Sequence, residues 1–92
     1  MTVCDLAAAI LVRNQQFPSA AIAKDEVIQS FKRDFPYWSY GEWNQEVPLA
    51  AGKAIMKIYE SDSNVTVDQI IVELPSMVRT FNNINNKQGL HN

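Results

Sequence analysis

Apolar positions recur at the three- and four-residue spacing of an amphipathic helix, in blocks separated by proline, serine and asparagine. In the first block Val3, Leu6, Ala7, Ile10 and Leu11 form one stripe behind Thr2 and Asp5. These two stand at capping-box spacing, with Asp in place of the usual Glu or Gln, and predict a helix over 3–15. Phe17-Pro18-Ser19 interrupts the pattern, and Ser19 is placed to cap a second helix whose face carries Ala20, Val27, Ile28, Phe31 and Phe35. Pro36 ends that helix, because the residue before a proline is steered away from the α region. Pro48 suits the first turn of a third helix, in which Leu49, Gly52, Ile55, Met56 and Tyr59 share a face. Gly52 there either admits a neighbouring helix or costs about 1 kcal/mol relative to Ala.

The clearest helix start is Val65-Thr66-Val67-Asp68-Gln69-Ile70, where Thr66 and Gln69 make a capping box and Val65 and Ile70 a hydrophobic staple. The same cap explains Asn64-Val65-Thr66, which also matches a glycosylation sequon, as a turn followed by a helix. Downstream, Val67, Ile70, Leu74, Met77, Phe81 and Ile84 keep one apolar seam past Pro75, which a kinked helix or two stacked helices would explain. Ile70-Ile71-Val72 is β-branched, but strand alternation fails after Val67 while the helical period persists. From Asn82 the chain becomes Asn-rich, and 85–92 reads as a frayed tail behind a single domain over 1–84. The fold class predicted is all-α, a compact bundle of four to five short helices, with an aromatic-rich loop or short hairpin between helices 2 and 3.

Two motifs within this region point to chemistry and are weakened by their own residues. Asp62, Asn64, Thr66, Asp68 and Glu73 fit the spacing of a twelve-residue calcium loop, but Val67 stands where a glycine makes the sharp turn. The stretch 66–81 resembles the helix-turn-helix of DNA-binding repressors through Ile70, Leu74, a break at Pro75 and Val78-Arg79. Ile71 is bulkier than the small residue that motif wants, the turn lacks glycine, and Arg79 is the stretch's sole cation.

Composition narrows the function classes further. Ninety-two residues, 47% apolar and 20% charged with three Gly and four Pro, describe a globular domain. A net charge of −2 removes the bulk attraction on which non-specific duplex binders rely. Cys4 and His91 are the lone cysteine and histidine, too few for a Cys/His metal site or an intramolecular disulfide, which predicts a reducing, cytoplasmic setting. The apolar run from Leu6 to Val12 is too short to span a bilayer and follows Asp5 rather than a basic segment, so neither a signal peptide nor a membrane anchor is expected. No Gly-rich phosphate loop or fixed nucleophile–base pair occurs, so the expectation is a protein without catalysis, metal or cofactor.

What stands out is aromatic. Six of the nine aromatic residues fall at Phe31, Phe35, Tyr37, Trp38, Tyr40 and Trp43. Neither a helix nor a strand turns Tyr37, Trp38 and Tyr40 to one side, so at least one ring is expected at the surface. Phe31, Phe35 and one or both tryptophans are also candidates for the core. The docking surface predicted is Lys32, Arg33, Tyr37, Trp38, Tyr40, Glu42 and Trp43, facing a larger protein or nucleoprotein complex. Lys32 and Arg33 beside the rings could also contact RNA or single-stranded nucleic acid. Small, acidic, motif-free chains are similar in general character to phage-encoded inhibitors of host defence complexes, anti-CRISPR proteins among them. That likeness implies a non-enzymatic inhibitor and rests on no particular residue. A helix-turn-helix regulator and an accessory subunit of an obligate oligomer are the alternatives, and the oligomeric state stays open.

Overall fold

The computed structural model describes residues 1–34, 40–61 and 64–90, with side chains at 40, 42 and 85–90 outside the description. Among these residues the chain is all-helical: α1 (Val3–Arg13), α2 (Ala20–Asp34), the single turn α3 (Tyr40–Trp43), α4 (Leu49–Glu60) and α5 (Val67–Leu90). Tyr40–Trp43 is therefore helical rather than one arm of a hairpin, and the rest of that expected loop or hairpin, 35–39, lies outside the described residues.

The predicted caps form. Thr2 Oγ1 accepts the Asp5 amide at 3.1 Å and Asp5 Oδ2 accepts the Thr2 amide at 3.1 Å, satisfying two donors that the first turn of α1 leaves without helical partners. Ser19 Oγ accepts the Ile22 amide at 3.3 Å, and Thr66 Oγ1 accepts the Gln69 amide at 3.1 Å. At its other end α1 stops at Arg13, short of the predicted 15. The Gln16 amide reaches Leu11 O and the Gln15 amide reaches Val12 O, each at 2.9 Å, with Gln15 at φ 60°. This is a Schellman ending with glutamine where glycine is usual, so no glycine marked it in the sequence.

α1 is buried on nearly every side: Val3, Cys4, Leu6, Ala7, Ala8, Ile10 and Leu11 are all core. It packs against each of the other helices, and the methyl side chains of Ala7 and Ala8 let them approach closely. α2 folds back along it, with Lys24 Nζ donating to Asp5 Oδ1 at 2.9 Å. α4 runs in the same direction as α1, since Met1 sits beside Gly52 near the start of α4 and Arg13 pairs with Glu60 at its end. An isolated antiparallel bridge, Thr2 with Glu46, closes the start of α1, with the Val3 amide on Gln45 O at 3.0 Å and the Val47 amide on Met1 O at 2.7 Å. Tyr59 Oη donates to Glu73 Oε2 at 2.8 Å and ties α4 to α5.

Three face assignments shift. Ala20 is exposed and Ala23 takes its place with Val27, Ser30 and Phe31 on the buried face of α2. Leu49, expected in the stripe of α4, is 69% exposed, while Ala51, Gly52, Ile55 and Tyr59 are buried. In α5 the seam lies on Ile70, Ile71, Leu74 and Val78, and by Ile84 it has reached solvent.

Pro75 lies inside α5, which continues without a turn, so 66–81 is not a helix-turn-helix and that likeness is withdrawn. Proline in a helix interior costs about 3 kcal/mol, and the burial of Ile70, Ile71, Leu74, Pro75 and Val78 on both sides of it offsets that loss. Thr66 serves as a cap and Val67 and Asp68 are helical, so these residues do not adopt a calcium-loop backbone. α5 runs through Leu90, past the fraying expected from Asn85.

Two predictions follow the geometry. A Cβ built on Gly52 would meet Met1 Sδ at 3.6 Å and Val47 Cγ1 at 3.9 Å, ordinary contact distances. Gly52→Ala should therefore stabilise the fold by about 0.5–1 kcal/mol in urea unfolding. The Lys24 ammonium, with the Thr2 amide and hydroxyl, lowers the Asp5 pKa from 3.8 to about 2. Between those values the unfolded chain binds the proton that the folded chain does not, so Asp5 stabilises above the range and that contribution fades as pH falls through it. Thermal midpoints measured across that acid range should fall, and Asp5→Asn should flatten the decline.

Candidate functional site

The aromatic cluster divides at the core boundary. Phe31 shares the buried face of α2 with Ala23, Val27 and Ser30, and its ring stacks on Trp43 with centroids 4.9 Å apart and planes 2° from parallel. That separation gives the offset stack aromatic pairs favour. Trp43 is fully buried, so it leaves the predicted docking set and joins the core. Ring area covers it there because α3 ends against α1 and the segment carrying Val47 is pinned to the chain start. The Met1 ammonium adds an ion pair to Glu46 Oε2 at 3.0 Å.

Lys32 and Arg33 directly follow Phe31 on α2 and are both exposed. Arg33 is engaged: its Nε donates to Asp34 Oδ1 at 3.0 Å and its Nη2 to Asp34 Oδ2 at 3.4 Å. Asp34, and at longer range Asp68 and Glu26, raise the Arg33 pKa above its ordinary value. The basic pair is thus basic mainly at Lys32, which makes no ion pair among the described residues. Tyr40 and Glu42 lie on α3 with side chains outside the description, and Tyr37 and Trp38 lie outside the described residues.

Two concavities lie elsewhere among the described residues. Val3, Gln45, Pro75, Val78 and Arg79 line a dimple of about 30 Å³. Arg13, Lys53, Met56, Lys57 and Glu60 line an open groove of about 240 Å³. Sequence reasoning assigned α4 only a core face and missed this groove. Its signal was present in the spacing of Leu49, Lys53, Met56, Lys57 and Glu60, which falls on one side of a helix. Arg13 Nη2 meets Glu60 Oε1 at 2.7 Å, with the two side chains 57% and 52% exposed, and a pair so hydrated contributes about 0–1 kcal/mol.

Cys4 is a buried free thiol, and burial pushes its pKa up to about 11, which keeps it protonated and poorly nucleophilic at neutral pH. No group of three or more His, Cys, Asp or Glu among the described residues is arranged to hold a metal ion. None of the described helices is long and apolar enough to cross a membrane.

Trp43→Ala should cost about 3–5 kcal/mol and lower the urea midpoint, with Trp43→Phe losing less, since a ring remains on Phe31. Unchanged stability of Trp43→Ala would contradict its place in the core. No family model matches the chain, and no curated protein or solved structure matches it.

Proposed function

We propose that this chain is a non-enzymatic protein-interaction module that docks on a larger macromolecular complex through the surface at the end of α2. Lys32 and Arg33 would contribute from the helix, with Tyr37, Trp38, Tyr40 and Glu42 from the segment that follows. The observation that supports this is the Phe31–Trp43 stack, which ties the described residues on either side of that segment, Phe31 of α2 and Trp43 of α3, to one core. Anchors of this kind lower the ordering cost of binding.

The electrostatics favour a protein partner over nucleic acid. Asp34 occupies Arg33, Glu26 and Asp68 lie within its field, and a phosphate approaching it would meet those three carboxylates. Under this reading the chain acts as an inhibitor or adaptor of the phage anti-defence kind, anti-CRISPR proteins being one such class, and works in the cytoplasm, where a lone buried thiol stays reduced.

Affinity capture from a host-cell lysate, with and without nuclease, tests the reading. Wild type should retain a protein partner after nuclease treatment. Trp38→Ala combined with Lys32→Glu and Arg33→Glu should lose it by about tenfold or more with helicity unchanged. Retention by that variant would refute the proposal, and loss of the partner on nuclease treatment would move the reading to nucleic acid.

A further inference from the structure

We infer that the outer face of α4 is a second interaction surface, built to take an acidic amphipathic helix of a protein partner. Leu49, Lys53, Met56, Lys57 and Glu60 recur at four-, three-, one- and three-residue steps, one narrow stripe on the side of α4 away from buried Ala51, Ile55 and Tyr59. Arg13 joins the stripe because α1 and α4 run together and end together. The groove so formed gathers three of the chain's eight Lys and Arg residues in a protein of net charge −2. Lys53 and Lys57 form no ion pair among the described residues, so their charge is available to a ligand.

The lining chooses between anionic partners. Lys53 and Lys57 stand one helical turn apart, the spacing at which carboxylates four residues apart on a facing helix can meet them. Met56 is half-buried beside them and Leu49 is 69% exposed, which gives an adaptable apolar strip for the partner's hydrophobic face. Among the described residues no aromatic side chain lines the groove, so they offer nothing for a base to stack on, and single-stranded nucleic acid is the poorer fit. Glu60 acts as an internal competitor, since it holds Arg13 in an exposed pair that an incoming carboxylate can take over. The stripe runs along α4 from Leu49, near the chain start, to Glu60 beside Arg13 at the end of α1; it shares no residue with the Lys32–Arg33 surface, and stands or falls independently of the docking reading above.

The full-length chain, labelled with nitrogen-15, would be titrated with a synthetic helical peptide carrying a leucine stripe flanked by glutamates. The same peptide with lysine for glutamate, and oligouridine, serve as comparison probes. The expected result is saturable shifts at Arg13, Lys53, Met56, Lys57 and Glu60 for the acidic peptide, weakened by added salt. Lys53→Glu with Lys57→Glu should weaken that binding about tenfold or more, and Glu60→Gln should tighten it about twofold, with circular dichroism unchanged. No saturable shifts, shifts located elsewhere, equal binding of the lysine peptide, or tighter binding of oligouridine would each overturn the inference.

Discussion

The burial of α1 on nearly all sides is the constraint on which the rest of the fold depends. Each of the other four helices packs against it, so they are arranged around one central rod. A helix buried this way has its first-turn amides away from bulk water and must satisfy them locally or from a neighbouring segment. Both occur here: Thr2 and Asp5 exchange hydrogen bonds, and 45–47 pairs with the chain start. The pairing that completes α1 also holds Val47 beneath α4 and Trp43 against Phe31. Helix capping and aromatic packing are thus one arrangement.

Charge is distributed around that core unevenly, and the net value of −2 conceals it. At the end of α2 the Lys32-Arg33 pair is offset by Asp34, with Glu26 and Asp68 nearby. On α4, Lys53 and Lys57 form no ion pair among the described residues, and Glu60 pairs with Arg13. An acidic protein can therefore present one surface of mixed charge and another that is basic with an apolar strip. Under the two proposals each would take a protein partner, for different reasons: the first because its arginine is already engaged, the second because methionine and leucine accompany its lysines.

Much of the secondary structure was legible because it rests on contacts within a few residues. The Thr2–Asp5 box, the Ser19 cap and the Thr66 cap are side-chain-to-backbone bonds across three positions, and their residue types announced them. The end of α1 was not legible, since Gln15 occupies the left-handed position that glycine usually marks. Nor was the continuity of α5: a proline reads locally as a break, and only burial of its neighbours on both sides makes the helix worth its cost. Within the candidate site, the exposure of Lys32 and Arg33 was readable from helical phase, and so was the side of α4 that carries Lys53 and Lys57, whereas the burial of Trp43 and the arrival of Arg13 beside those lysines were not.

The sequence by itself determined that the chain is helical, where most helices begin, and which residue types crowd 31–43. Those properties follow from local hydrogen bonding and from a periodicity that any helix must obey. Only the tertiary structure decided that α1 is central, that Trp43 is covered while Leu49 is not, and that Arg13 stands beside Lys53 and Lys57. Each of these depends on segments tens of residues apart meeting in space, Phe31 with Trp43, Met1 with Val47, Arg13 with Glu60, and no local spacing encodes which distant neighbour will cover a given side chain.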